Sequence, residues 1–190
     1  MLREGVPATR SSGKRWDAGD LFPDSAALYT PRTERRTDTL EVRPFDLLSN
    51  EAQELIAELN AELSAIYPEE GATHFRLDPP EVKKGNGVFL IALQGSRHLG
   101  CGAIRRIDGW TAELKRMYVK PEARNRGVAR EILRALEGEA RALGIARVVL
   151  ETGVRQQAAI ALCRSEGYTE IAPFGEYVNS PLSVCMAKEL

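Results

Sequence analysis

The pattern of hydrophobic and polar residues predicts strands and helices from about residue 40 onward. The segment Leu40–Pro44 alternates as a half-buried strand does, and its proline stops the strand. Asn50 can cap a following helix, whose leucines and isoleucine recur at helical spacing and form one apolar stripe. Pro68 ends this helix. The polar stretch from Pro68 to Asn86 is predicted to be a long loop, which makes it a candidate lid over a ligand.

The rest of the chain continues with strands and helices. Val88–Leu93 and Leu99–Ile107 flank a glycine turn and are typical of an antiparallel hairpin. A further strand, Ala112–Val119, precedes a helix that begins near Val128, repeats its apolar residues on one face and is closed by Gly144. The last predicted elements are a strand at Arg147–Thr152, a helix at Gln157–Glu166 and strands near Tyr168–Ala172 and Leu182–Ala187. This order predicts a mixed α/β fold.

Length and composition limit the number of domains and the kinds of partner. A chain of 190 residues that is 43% hydrophobic can bury one core but is short for two full domains. Residues 1–38 lack a sustained apolar period, so we predict a loosely ordered N-terminal extension before a folded domain at 39–190. A short apolar cluster in the extension could dock on the domain or on the second subunit of a homodimer. The formal net charge of −1 gives no field that would hold the protein on nucleic acid or an anionic membrane.

The lengths of the apolar stretches and the spacing of the cysteines indicate in which cellular compartment the protein is expected. Charges interrupt each apolar stretch well before the roughly 20 residues that a membrane span needs, and the N-terminus has no apolar signal core. Cys101, Cys163 and Cys185 have no paired spacing and too few histidine neighbours for a zinc site. We therefore expect a cytoplasmic protein with reduced thiols and no metal.

One turn between a strand and a helix has the chemistry of an anion site. A helix start has unpaired N–H groups and about half a positive charge, so it attracts anions. Gly127 has no side chain and lets the main chain wrap closely around a phosphate, while Arg124, Arg126 and Arg130 add positive charge. The turn lacks the glycine spacing of a dinucleotide fingerprint and the Gly-Lys-Ser/Thr of a nucleotide triphosphate loop. Taken alone, it also fits an ordinary basic helix start without a ligand.

The run Tyr118-Val119-x-Pro121-x-x-Arg124-x-x-Gly127-x-Ala129 resembles the Arg/Gln-x-x-Gly-x-Gly/Ala motif of the GCN5-related N-acetyltransferase (GNAT) superfamily, in which this turn binds the CoA pyrophosphate. The likeness continues through Leu150-Glu151 and the run from Ala159 to Tyr168. It implies a single domain with a splayed, mostly antiparallel central sheet flanked by helices, and acetyl-CoA as co-substrate.

The resemblance also implies where CoA binds. The pantetheine arm would lie in a gap between the strand that ends at Val119 and the strand that ends at Thr152, and would pair with main-chain groups as an added strand does. Gln156 stands where many members have an asparagine that touches the cofactor. The implied cofactor-binding residues are Met117, Tyr118, Val119, Arg124, Asn125, Arg126, Gly127, Val128, Ala129, Arg130 and Gln156.

Acetyl transfer to an amine needs a base. An alkylammonium with a pKa near 10.4 is only about 0.04% neutral at pH 7, which is a handicap of roughly 4.6 kcal/mol. Glu151 ends a buried strand, at the position that resembles the base of ribosomal-protein alanine N-acetyltransferases. Glu113 lies on the strand before the turn, where other members place a glutamate that coordinates water. Either carboxylate could instead be structural, with Glu113 paired to Lys115 or Arg116 and Glu151 paired to Arg155.

The departing thiolate needs an acid, and here the sequence departs from the family. Cys163 occupies the position where members commonly have a tyrosine that protonates the thiolate. A thiol with a pKa near 8.5 could donate a proton, but its side chain is short. Cys163 could instead pack against the sheet, with Tyr168, Tyr177, Tyr118 or water as the acid. Phe174 and Tyr177 lie where members shape the acceptor pocket, and they are candidates for substrate binding or for ordinary loop packing.

The function that follows is acetyl transfer from acetyl-CoA to a primary amine of a small-molecule or amino-acid-like acceptor, by direct attack on the thioester. Two alternatives stay open. Acetylation of protein N-termini or lysines is suggested by the segment from Leu150-Glu151 to Cys163, and a CoA-binding module without catalysis is suggested by Cys163 itself.

Overall fold

The computed structural model describes residues 39–69 and 76–190. The predicted N-terminal extension, residues 1–38, and the central part of the predicted 68–86 loop lie outside these ranges. The strands are β1 (Leu40–Pro44), β2 (Gly87–Gln94), β3 (Arg97–Arg106), β4 (Thr111–Val119), β5 (Arg147–Gly153), β6 (Thr169–Ile171) and β7 (Ser183–Glu189). The helices are α1 (Asn50–Ile66), α2 (Val128–Ala142) and α3 (Gln157–Ser165). Short 3-10 turns occur at Pro79–Val82, Pro121–Ala123 and Gly175–Tyr177.

The described strands form one seven-stranded mixed sheet in the order β1-β2-β3-β4-β5-β7-β6. Neighbouring strands are antiparallel except at the junction of β4 and β5, which is parallel. The ladder between β4 and β5 runs from Thr111 opposite Arg147 to Leu114 opposite Leu150 and ends there. Both strands continue beyond this ladder, β4 paired with β3 and β5 paired with β7. A gap therefore opens in the sheet, which confirms the predicted splayed α/β fold.

A bulge in β4 lies just beyond the end of this ladder. The register between β3 and β4 shifts where Cys101 faces Tyr118 but Ala103 faces Lys115, so β4 has one extra residue. Arg116 takes a left-handed φ of 60° there, as a bulge residue can. The guanidinium of Arg116 is buried and donates a hydrogen bond of 2.6 Å to Asn60 of α1. The bulge thus turns β4 away from β5 and is held by α1.

Helices cover the sheet from both faces. On one face, α2 and α3 pack over a core whose largest members include Leu114, Ile132, Leu136, Leu150 and Met186. On the other face, α1 covers β2, β3 and the end of β4 in a second core that includes Leu55, Leu59, Phe89, Ile91 and Tyr118. None of the helices in residues 39–69 and 76–190 is both long and apolar enough to cross a bilayer.

Two details of the sequence prediction were wrong in this region. The described end of the 68–86 loop contains a 3-10 turn, Pro79–Val82, because Asp78 and Glu81 form a capping box around two prolines. The N-cap of α1 is Ser49 rather than Asn50. The Ser49 hydroxyl accepts the N–H of Ala52 at 3.3 Å, and Asn50 is the first helical residue.

We expect Ser49→Ala to lower the free energy of unfolding by about 1 kcal/mol, since the cap hydrogen bond is lost. Asn50→Ala is the matched control and should change stability by less than about 0.5 kcal/mol, because Asn50 is exposed in the first helical turn. Urea denaturation of both variants measures the difference. A larger loss for Asn50→Ala than for Ser49→Ala would contradict this assignment of the cap.

Candidate active site

The turn between β4 and α2 has the backbone geometry of an anion site. Gly127 is the N-cap of α2 and adopts the left-handed conformation, with φ 82° and ψ −5°. Asn125 is also left-handed, with φ 59°. A Cβ atom at Gly127 would meet nothing within 4 Å, so open space lies above the turn. The N–H groups of Val128, Ala129 and Arg130 begin the helix and have no preceding turn to accept them. These features fit a phosphate group.

The arginines of the turn also bind other parts of the protein. Arg124 donates from Nε to the carbonyl of Val119 at 2.9 Å and from Nη2 to Glu62 of α1 at 2.5 Å. Arg126 donates to Gln94 at 3.0 Å, and Arg130 donates to Glu166 at 2.6 Å. Glu62 and Glu166 offset part of the arginines' positive charge, so much of the attraction for an anion rests on the backbone of the turn.

Residues from both sides border the gap beyond the β4–β5 ladder. Met117, Tyr118 and Val119 lie on β4 past the bulge, with Met117 half-buried against the α2 core and Tyr118 buried on the α1 face. Gln156 caps α3 on the β5 side, and its Oε1 accepts the N–H of Gly153 at 3.0 Å and the hydroxyl of Thr152 at 3.2 Å. The structure therefore brings the predicted cofactor-binding residues to the two edges of one gap.

Glu151 is the first residue of β5 beyond the ladder with β4. It is half-buried, and its Oε1 accepts a hydrogen bond of 2.6 Å from the Ser183 hydroxyl of β7. Its charge contributes to raising the pKa of both Tyr67 and Tyr177, after the larger effect of burial in each case. The guanidinium of Arg155, the partner that a structural role for Glu151 predicts, donates to Ile66 and Glu69. Glu151 thus lies at the mouth of the gap, near two tyrosines.

Glu113 belongs to a buried charge network and is only 1% exposed. Its Oε2 accepts from Arg105 Nε at 2.8 Å and lies 2.6 Å from Arg105 Nη2, while its Oε1 accepts the Tyr177 hydroxyl at 2.7 Å. Lys115 Nζ is 3.6 Å from the same Oε1 and donates to Tyr177 at 3.1 Å. The predicted pairing with Lys115 is present, whereas Arg116 contacts Asn60.

Arg105 is a site residue that sequence reasoning missed. It lies directly opposite Glu113 in the β3–β4 hairpin, and opposite charges at facing positions stabilise a sheet. The signal that could have found it is an antiparallel pairing of the predicted strands Leu99–Ile107 and Ala112–Val119, whose register places Arg105 opposite Glu113. Arg105 also binds Glu81 of the Pro79–Val82 turn, which ties the described end of the 68–86 loop to the site.

Cys163 packs in the core between α3 and the sheet and is 5% exposed. Burial raises the pKa of its thiol to about 11. Tyr168 is buried in the same core, with Lys188 Nζ 5.6 Å from its ring centroid. Lys188 pairs with Val148, so Tyr168 lies by the part of β5 that is still joined to β4. The two residues are on the α2 face of the sheet.

A cavity of about 550 Å³ lies beside Glu113, over the paired part of β4 and β5. Thr111, Val149 and Phe174 line it, together with Tyr177. Phe174 and Tyr177 meet edge to face at 5.3 Å between ring centroids. An adjoining cavity of about 330 Å³ shares Arg105 and Glu176 with the first and adds charged residues of the 76–81 segment. The cavities over the paired part of the sheet are therefore walled by both apolar and charged groups.

The split sheet, the glycine-led helix start beside it and Glu151 at the split are the features that the resemblance to CoA-dependent acetyltransferases implies. The chain belongs to the acetyltransferase (GNAT) family, whose model matches residues 52–168. The predicted family is thereby confirmed, and the protein is an acetyl-CoA-dependent acetyltransferase of the GNAT type.

Individual relatives agree with this membership. The chain is 40% identical over 144 residues to an IAA acetyltransferase of Azospirillum brasilense, covering 75% of this chain and 93% of the relative. It is 29% identical to the uncharacterized N-acetyltransferase YsnE of Bacillus subtilis over 80% of this chain and all of that protein. A solved structure assigned as an acyl-CoA N-acyltransferase of Klebsiella pneumoniae superposes with a TM-score of 0.69 at 30% identity, covering 81% of this chain and 99% of the other.

A more distant solved structure shares the fold. The PaiA N-acetyltransferase of Thermoplasma acidophilum, in complex with coenzyme A, has a TM-score of 0.63 at 19% identity, over 80% of this chain and 99% of that one. The fold is thus shared by proteins with little sequence similarity.

Proposed function

We propose that this acetyltransferase transfers the acetyl group of acetyl-CoA to a primary amine of a small or amino-acid-like acceptor, with Glu151 as the general base. The observation that carries the proposal is the position of Glu151. It is the first residue of β5 beyond the β4–β5 ladder, and it is half-buried where the sheet opens. A carboxylate there borders the gap, and its charge acts on Tyr177, which lines the cavity beside Glu113. The Bacillus subtilis relative YsnE is an N-acetyltransferase by name, which supports an amine as the acceptor.

Glu113 fits a structural role better than the role of base. Both of its oxygens already accept hydrogen bonds, from Arg105 and from Tyr177, and Lys115 is close by. A base must have an oxygen within reach of the proton that it takes. We assign Glu113 to holding Tyr177 and Lys115 in place under the acceptor cavity.

The donor site is the turn and the edge of β4. Backbone N–H groups of the turn from Arg124 to Arg130 would hold the pyrophosphate, and the main chain of Met117–Val119 would pair with the pantetheine arm. Gln156 would border the arm from the β5 side. When bound, acetyl-CoA supplies an acetyl group activated as a thioester. The residues of the chain orient it, exclude water and move protons.

The reaction needs the amine to lose a proton before or during its attack. At neutral pH Glu151 would accept that proton and so recover part of the roughly 4.6 kcal/mol cost of the neutral amine. The cavity beside Glu113 has the volume of a small-molecule site, since such sites span about 300–1,000 Å³. Phe174 supplies an apolar wall and Glu176 a carboxylate for the acceptor.

Release of CoA thiol from acetyl-CoA tests this function. Purified protein is assayed with a panel of small primary amines, amino acids and peptides with free N-termini or lysines. Release with small amines or amino acids supports the proposal, and release with peptides alone favours the protein-acetylating alternative. Tight binding of acetyl-CoA without turnover on any amine would leave a binding module and would overturn the proposed role of Glu151.

The donor site predicts a specific effect of Gly127→Ala. We expect the KM for acetyl-CoA to rise about tenfold or more, since a side chain would occupy the open space of the turn and a left-handed φ disfavours it. Gly144→Ala is the matched control, because Gly144 has a similar φ of 75° and open space but closes α2 at its far end. Both variants should lose about 1–2 kcal/mol of stability. Steady-state kinetics would contradict the site if both changes affected KM equally.

A further inference from the structure

The end of α1 places a phenol against the open end of β5. Tyr67 is the C-cap residue of α1, is 6% exposed and is anchored by its N–H, which donates to Leu63 at 2.8 Å. The Tyr67 hydroxyl occupies the position that a side chain at residue 153 would take. A Cβ atom built on Gly153 would lie 1.9 Å from the Tyr67 hydroxyl oxygen. Gly153 and Glu151 share a face of β5, since alternate residues of a strand do. Tyr67 therefore borders the gap on the side of Glu151.

Two contacts fix the orientation of this phenol. The Tyr67 hydroxyl accepts the backbone N–H of Arg155 at 2.8 Å, and the Arg155 guanidinium lies 5.1 Å from the ring centroid. Glu69 in turn binds that guanidinium at 3.1 Å. A phenol that accepts through a lone pair still has its own proton to donate. Burial raises the pKa of Tyr67, so the hydroxyl stays protonated at neutral pH.

The other candidate acids are engaged or lie elsewhere in the described parts of the chain. The Tyr177 hydroxyl donates to Glu113, and Cys163 and Tyr168 are buried in the α2 core. Tyr118 lies beside the turn, with Arg124 5.8 Å from its ring centroid. Tyr67 has its oxygen at the end of β5, where the gap is open.

We infer that Tyr67 donates its proton to the CoA sulfur as the thioester breaks. The inference rests on the proposed amine acetylation. As the amine nitrogen bonds to the acetyl carbon, the C–S bond breaks and its electron pair goes to sulfur. The phenolic O–H bond breaks and an S–H bond forms. Glu151 takes one proton as the ammonium becomes the neutral amine and releases it to solvent. It takes a second proton from the nitrogen that has bonded to the acetyl carbon, and this proton returns to the phenolate through solvent. The products are an amide, CoA thiol and one proton released to solvent.

Binding of CoA and of desulfo-CoA tests the contact without turnover. Calorimetry on the wild-type protein should show tighter binding of CoA than of desulfo-CoA, by about fivefold for one hydrogen bond to sulfur. Tyr67→Phe should abolish this preference. Tyr168→Phe is the matched control, since it removes a buried phenol from the opposite face, and it should preserve the preference. An unchanged preference in Tyr67→Phe would overturn the inference.

Kinetics with two acetyl donors add a second test. Tyr67→Phe should lower kcat about 100-fold with acetyl-CoA or S-acetyl-N-acetylcysteamine, whose thiols need protonation. The defect should largely disappear with S-acetyl-4-nitrothiophenol, which releases a far more acidic thiol. A defect of equal size with both kinds of donor would make Tyr67 a structural or acceptor-binding residue instead.

Gly153→Ala gives an independent variant, because its methyl group would displace the Tyr67 hydroxyl while the phenol remains. It should show the same dependence on the leaving group, with thermal melting as the check on folding. If the wild-type protein acetylates no amine, the proposed function is refuted. The comparison of CoA with desulfo-CoA needs no turnover, so it still tests whether Tyr67 contacts the CoA sulfur. The two failures are therefore distinguishable.

Discussion

Glu151→Gln is expected to lower kcat by about 10²- to 10⁴-fold, the range for loss of a general base, with the KM for acetyl-CoA little changed. Gln keeps the size of the side chain and can still accept the hydrogen bond of Ser183, so the fold should be preserved. The loss should fall on kcat because the turn that holds the donor is untouched. Initial rates of CoA thiol release, with acetyl-CoA and acceptor varied in turn, measure both constants.

The pH dependence of the rate tests whether the loss of kcat is the loss of a general base. Without a base, the residual rate of Glu151→Gln should rise about tenfold per pH unit toward the pKa of the amine, near 10.4, since only the neutral amine reacts. The wild-type rate should depend less steeply on pH, because Glu151 takes the proton of the bound amine. Glu170→Gln is the control, because Glu170 is exposed on β6 and paired with Arg164. A residual rate with the wild-type pH profile would show that Glu151 is not the base.

Glu113→Ala is expected to lower the free energy of unfolding by about 3 kcal/mol, the low end of the range for breaking a buried ion pair. Lys115 and Arg105 each lose one carboxylate but keep Glu176 and Glu81, respectively. Lys115 is 5% exposed at its side chain, and Arg105 has Glu113 as one of its two carboxylate partners. Urea denaturation measures the loss. Glu189→Ala is the control, since the Glu189 side chain is 76% exposed and 3.4 Å from Arg147, and such a pair is worth about 0–1 kcal/mol.

The isosteric change Glu113→Gln separates the two candidate bases. We expect it to cost stability but to keep kcat within about tenfold of wild type, below the effect of losing a general base. A drop in kcat as large as that of Glu151→Gln, in a protein of unchanged stability, would transfer the role of base to Glu113.

Sequence periodicity predicted the order of elements because each strand and helix follows from local spacing. The position of the gap also came from the sequence, but through family resemblance, since the gap is set by where the ladder ends at Leu114 and Leu150 and by the bulge at Arg116. A bulge depends on register between strands, and no local pattern in β4 marks it.

The contacts missed from sequence are those that join distant segments. Arg105 meets Glu113 through the pairing of two strands, and Tyr67 meets Gly153 from 86 positions away along the chain, 153 minus 67. From the sequence alone, Gly153 is an ordinary residue at the end of a strand. Its lack of a side chain gains meaning only from the structure, where the Tyr67 hydroxyl occupies the position of its Cβ. The roles of residues 1–38, a homodimer and a cytoplasmic location stay predictions.

The short β4–β5 ladder has a thermodynamic consequence. In the described sheet, the strands β1–β4 are joined to the strands β5–β7 through the β4–β5 ladder, which has four residue pairs. A donor lying along the open edge of β4 would bind the folded protein and not the unfolded chain. By mass action, acetyl-CoA at 100 times its Kd would add about 2.7 kcal/mol to the free energy of unfolding. The melting temperature of the protein is therefore a direct gauge of donor occupancy, before any acceptor is known.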